Sequence, residues 1–140
     1  IRSTAGIYGH ANRFLCCLPP NPDDTHTRYL SAPPLPAALL ALTHSLASRR
    51  INEVALADTQ AASTSLASFL YGAGIDVWLT PYQLLADLAA VAATRPGPRT
   101  LAAILARLCP ITTWRAQMRL WEPPVLPPQQ LSLLDPRASR

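Results

Sequence analysis

The sequence predicts an α/β fold: a mixed sheet flanked by helices, with a helical and proline-rich carboxyl-terminal extension. Three observations carry this. Val54 to Ala57 is a compact apolar run of the length of a short buried strand. It lies between stretches with apolar residues at helical spacing, Leu35, Leu39, Leu42 and Leu46 before it and Leu66, Phe69 and Leu70 after it. A second strand pattern, the alternating Ile75-Asp76-Val77-Trp78-Leu79, then leads into the helical Leu84 to Ala90. Strands alternating with helices read as βαβ units, in which the ends of neighbouring strands are a usual place for chemistry.

The elements follow in order. Gly6 to Leu18 reads as a hairpin, with Ile7, Tyr8, Phe14 and Leu15 as strand formers around the turn-prone His10-Ala11-Asn12. Pro19 to Pro34 is a loop with a short strand at Arg28 to Leu30, and the breaker pair Pro33-Pro34 starts a helix near Leu35. Val54 to Ala57 is expected at the centre of a sheet of about four or five strands. Asp58 and Thr59 can cap the next helix through their side-chain oxygens. Thr94-Arg95-Pro96-Gly97-Pro98-Arg99 punctuates the chain, after which Thr100 caps a helix through Leu108, ended by Cys109-Pro110. Thr112 to Trp121 forms one more helix, and Glu122 onward is extended. The expected organisation is an α/β domain over 1–94, a helical extension over 95–121 and a proline-rich flexible tail over 122–140.

At 140 residues and 49% apolar content, the chain fits one domain of ordinary size with a core of its own. All twelve basic residues are arginine. Arginine suits phosphate because its planar fork donates two parallel bonds, although the absence of lysine also fits GC-rich coding. A net charge of +4 favours a polyanionic partner only weakly. Arg95, Arg99, Arg107, Arg115 and Arg119 are strung along the later third, where they form a nucleic-acid-binding stripe or a solvated helical face. Trp114 and Trp121 lie among them, to stack on bases or to pack in the core.

The three cysteines, Cys16, Cys17 and Cys109, give an odd count and no CxxC spacing, so a disulfide scaffold is not expected. Nothing indicates that His10, His26 or His44 converges with them on zinc. The longest low-charge stretch, Leu30 to Ala47, is broken by Pro33, Pro34 and Pro36, so no membrane span is expected, and no signal peptide is recognisable. An intracellular location, cytoplasmic or nuclear, and no membrane partner are the corresponding expectations. The first residue is Ile1 rather than methionine, which suits a domain cut from a polyprotein and equally a trimmed chain.

Several pieces together resemble the ribonuclease H-like domain carried by reverse transcriptases of retroelements and hepadnavirus-like pararetroviruses. Ala57-Asp58-Thr59-Gln60-Ala61-Ala62 is similar to that family's Thr-Asp-Ser/Asn strand end. Ala37-Ala38-Leu39-Leu40-Ala41 is similar to its Ala-Glu-Leu-Leu-Ala helix, and Ala86-Asp87-Leu88-Ala89 to its closing Ala-Asp-x-Leu-Ala. Ile1-Arg2-Ser3-Thr4-Ala5-Gly6-Ile7 resembles its opening Asp-Ala-Ser-x-x-Gly. The resemblance covers roughly Ile1 to Thr94 and rests on order and spacing rather than on any one piece.

It implies a site in which carboxylates hold two divalent metals, magnesium or manganese, that activate a water and stabilise the leaving oxygen of a phosphodiester in an RNA–DNA hybrid. Asp58 and Asp87 stand at acid positions of that family and are its implied catalytic and metal-holding residues, expected within about 4 to 8 Å of each other. Ile1 and Ala38 occupy the other two acid positions, and neither side chain can coordinate a metal. The copy is therefore degenerate. Its implied role is a non-catalytic or weakly active module contacting nucleic acid or the neighbouring polymerase domain of the same polyprotein, the alternative being an active hybrid-cutting hydrolase. A third reading comes from the tail, where Gln130, Leu131, Leu133 and Leu134 resemble the short peptide by which bacterial replication proteins dock on a sliding clamp.

Overall fold

A computed structural model describes residues 3–19, 27–57, 62–92 and 97–124. Its strands are β1 (Thr4–His10), β2 (Arg13–Cys17), β3 (Tyr29–Ala32), β4 (Glu53–Ala57), β5 (Asp76–Thr80) and β6 (Arg119–Leu120); its helices are α1 (Pro36–Ser48), α2 (Ser63–Gly72), α3 (Tyr82–Ala92), α4 (Pro98–Leu108) and α5 (Thr112–Arg115). They form one mixed sheet in the order β3-β2-β1-β4-β5-β6. β2 runs antiparallel to its neighbours β1 and β3, β4 and β5 run parallel to β1, and β6 returns antiparallel along β5. As expected, β4 is central, and all five of its residues are buried.

Local chemistry explains the boundaries. β1 and β2 are joined by Ala11 and Asn12 at φ 49° and 59°, the paired left-handed conformations that a tight two-residue hairpin turn requires. Helix α1 begins with Pro36 at its first turn, where the missing N–H costs nothing, and buries Leu39, Leu42, Thr43 and Leu46. It closes with Arg50 at φ 58° and the Ile51 N–H on the Leu46 carbonyl at 3.2 Å; α2 closes the same way, with Gly74 at φ 81° and Ile75 N–H on Leu70 at 3.0 Å. In each case the buried isoleucine then feeds the chain into a parallel strand.

The sheet is covered on both faces. On one, Ile7, Phe14, Cys16, Leu56, Val77 and Leu79 pack with the apolar faces of α1 and α2. On the other, Tyr8, Cys17, Ala55 and Ala57 pack with Leu85, Leu101, Ala102, Leu105, Ala106 and Cys109. The alternation Val54-Ala55-Leu56-Ala57 thus sends large side chains to the first face and methyl groups to the second. That thin second face lets α4 sit directly on the sheet: a Cβ on Gly6 would lie 2.1 Å from the Ala102 carbonyl oxygen and 2.5 Å from the Ala106 nitrogen. Cys16 and Cys17 point to opposite faces as alternation requires, yet both are buried because both faces are covered.

Three expectations are revised, and a fourth falls partly outside the described residues. Leu35 does not join the buried stripe of α1; it precedes the helix and is exposed. The helix expected from Asp58-Thr59 begins, among the described residues, at Ser63, and the two expected caps lie outside those residues. α4 starts at Pro98 rather than at a Thr100 cap, because proline's fixed φ suits the first helical position. Beyond α5 the chain does not continue as helix to Trp121; Arg119 and Leu120 pair with Leu79 and Trp78, covering the open side of β5. Within the expected extension, α4 covers the sheet's second face and β6 supplies its edge strand.

Candidate functional site

The carboxyl ends of the parallel strands lie side by side. Ile7 pairs with Leu56, Leu56 with Leu79, and Ala57 with Thr80, so Tyr8, Gly9 and His10 run alongside and past the end of β4. Tyr8 is buried and stacks on the exposed His10, with ring centroids 6.3 Å apart and 22° between planes. Burial raises the Tyr8 hydroxyl above its ordinary pKa, and the nearby Tyr82 adds to this. Thr80, at the end of β5, and Ser63, at the start of α2, bury hydroxyl oxygens that have no hydrogen-bond partner among the described residues. Such orphan groups are uncommon in folded chains and often mark functional places.

Asp87 stands on α3, exposed, where its Oδ1 accepts a hydrogen bond from the Gln83 amide at 2.8 Å. Asp58 and Ile1 lie outside the described residues, so the expected approach of Asp58 and Asp87 lies outside them too. Ala38 is half-buried against the first core. β1 opens at Thr4 opposite Glu53, at the amino end of β4, and the chain reaches the carboxyl end only at Tyr8 to His10, well after Ile1. None of Tyr8, Gly9 and His10 carries a carboxylate. Among the described residues no three His, Cys, Asp or Glu side chains are grouped to hold a metal. Those residues therefore do not fit a two-metal centre.

The acid that matters most to the described structure was not singled out by the sequence. Glu53 is buried at the amino end of β4, where the Thr4 hydroxyl donates to its Oε1 at 2.6 Å and Arg115 Nη2 donates to Oε1 and Oε2 at 2.8 and 3.0 Å. The Arg115 Nε also donates to the Cys109 carbonyl at 2.9 Å, and the guanidinium lies 5.1 Å from the Trp78 ring centre. Arg115, expected on a nucleic-acid stripe, is thus held inside the molecule. The available signal was an acid opening an otherwise apolar strand, since a buried carboxylate needs a paired cation.

The other arginines differ. Arg99 and Arg107 are exposed on α4, and Arg99 lies 5.4 Å over the Tyr29 ring, whose hydroxyl donates to the Arg99 carbonyl at 3.5 Å. Arg95 lies outside the described residues, as do Gln130, Leu131, Leu133 and Leu134. Trp121 packs against the first core and meets Tyr71 edge-on at 5.6 Å, and Trp114 is half-buried. All three cysteines are buried, and none forms a disulfide among the described residues. Burial, with Cys17 beside it and Arg49 opposing, pushes the Cys16 thiol up to about 12, which leaves it a poor nucleophile and metal ligand. Among the described residues no helix is long and apolar enough to cross a membrane.

No family model and no curated protein matches the sequence. Solved structures do match. The Thermus thermophilus RuvC structure superposes with a TM-score of 0.52 at 12% identity, covering 85% of this chain and 99% of that one. T. thermophilus RuvC in complex with a Holliday junction substrate gives 0.53 at 13% identity, covering 86% and 100%. The fold is ribonuclease H-like. At these identities the likeness establishes the ribonuclease H-like architecture over most of the chain.

Proposed function

We propose that this chain is a ribonuclease H-like module that contacts nucleic acid without hydrolysing it, within a reverse-transcriptase-type polyprotein whose polymerase domain is its neighbour. The observation that carries the reading is the end of β1, where Tyr8, Gly9 and His10 present a phenol, bare backbone and an imidazole beside the carboxyl end of β4. A two-metal phosphodiesterase needs clustered carboxylates there, and none of these three residues carries one. The polyprotein setting is supported by the resemblance of the segments around Ala38, Asp58 and Asp87 to the reverse-transcriptase-linked family. Contact with nucleic acid is supported by the fold shared with RuvC, one structure of which holds a Holliday junction, and by the net charge of +4. The test is an RNA–DNA hybrid cleavage assay with magnesium and with manganese, in which no cutting above background is expected.

A further inference from the structure

We propose that the open surface of β2 and β3 beside α4 is a track for one strand of nucleic acid, gripped by Arg99, Arg107 and Arg13 with Tyr29 on its floor. The inference rests on the nucleic-acid reading above and gives it a surface. On the face that α4 covers, Cys17 is buried beneath the helix, and the half-buried Tyr29 packs at the margin of that cluster. Alternation along the two strands puts Leu15 and Arg13 on that same face, and Ser31 beside them through the pair Leu15 with Ser31. Unlike the residues under the helix, Arg13 and Ser31 are exposed and Leu15 and Tyr29 only half-buried. The outer two strands therefore form an open floor about 10 Å wide, wide enough for a single strand, with α4 as a wall.

The wall carries charge on the matching side. Arg99, Ala103 and Arg107 recur at four-residue steps, so the two guanidinium groups share one stripe and leave the helix about 12 Å apart. The stripe faces the floor: Arg99 lies over the Tyr29 ring, and Arg107 is near enough to act electrostatically on both Cys17 and Tyr29. At the other end Arg13 Nε donates to the Ser31 hydroxyl at 2.9 Å, close to the hairpin turn after His10. None of the three arginines has a carboxylate partner among the described residues, where the ion pair is that of Arg115 with Glu53. Guanidinium groups with no carboxylate partner among the described residues, beside a half-exposed aromatic ring, suit phosphates on one side and a stacked base on the other.

The experiment is fluorescence anisotropy of the full chain with labelled single-stranded RNA and DNA of about 12 nucleotides, at about 50 and 200 mM salt. Arg99→Gln with Arg107→Gln is expected to weaken binding about tenfold and to make the salt dependence shallower by about 0.7 in log–log slope per arginine, with Arg13→Gln adding a further loss. The charge-matched pair Arg50→Gln with Arg119→Gln, away from the track, should stay within about twofold of the parent. Equal losses in the two doubles, or none in the track double, would overturn the track while leaving nucleic-acid binding in place. A parent chain that binds neither oligonucleotide at the lower salt would overturn both. Unchanged unfolding transitions keep misfolding out of the comparison.

Discussion

One nitrogen of the Arg115 guanidinium bridges both carboxylate oxygens of Glu53, at 2.8 and 3.0 Å, and so ties the segment after α4 to the amino end of the central strand. Because Glu53 is almost fully buried, removing only the cation strands a charge away from water. Arg115→Met is expected to destabilise the fold by about 3 kcal/mol, and adding Glu53→Met should recover most of that loss. Urea unfolding of the two single variants and the double checks this. An unshifted midpoint for Arg115→Met would mean that the pair contributes no stability and would return Arg115 to the candidates for ligand contact.

Gly6 is the point where α4 touches the sheet most closely. A methyl group there would collide with backbone atoms of Ala102 and Ala106, which cannot rotate away as a side-chain tip could. Gly6→Ala should therefore lift α4 and cost about 3 kcal/mol or more, against about 1 kcal/mol for Gly74→Ala, where the penalty is only the left-handed φ of 81° and the surroundings are open. Thermal unfolding separates the two. A Gly6→Ala chain as stable as Gly74→Ala would show that α4 is not seated as described.

The fold was legible where a single physical constraint dominates. An unbroken apolar run can only be buried, so Val54 to Ala57 read correctly as the central strand, and the flanking periodicities gave α1 and α2. Arg119 and Leu120 did not read as a strand because two residues carry no periodicity; their pairing comes from the open edge of β5 and the burial of Met118 and Trp121 beside it. The role of Arg115 was hidden for a similar reason. Arginine on a short helix looks solvated until a partner far along the chain folds against it, and Glu53 precedes it by 62 residues. Tyr8 to His10 escaped notice at the candidate site because only the register of β1 on β4 reveals which residues reach the strand end.

Alkaline pH should loosen the core. Cys16 has a thiol raised from an ordinary 9.0 to about 12 by burial, so the neutral form is favoured in the folded chain while the unfolded chain ionises first. That contribution is full below pH 9.0 and is lost as the pH climbs toward about 12; burial shifts Cys17, Tyr8 and Tyr29 in the same direction. Stability measured by urea should be level from about pH 7 to 8 and fall from about pH 9 to 11, with a shallower fall in Cys16→Ala. A Cys16→Ala profile parallel to the parent's would show that this thiol does not carry the effect.

Loss of hydrolysis in a ribonuclease H-like module is the central claim, and cutting of a labelled RNA–DNA hybrid by the purified chain tests it most directly. With saturating magnesium or manganese, the parent chain and Asp58→Asn should give the same background rate, because Tyr8, Gly9 and His10 supply no carboxylate at the strand end where the clamp on attacking and leaving oxygens would need one. Metal-dependent cutting that disappears in Asp58→Asn would contradict the claim and identify a live hydrolase.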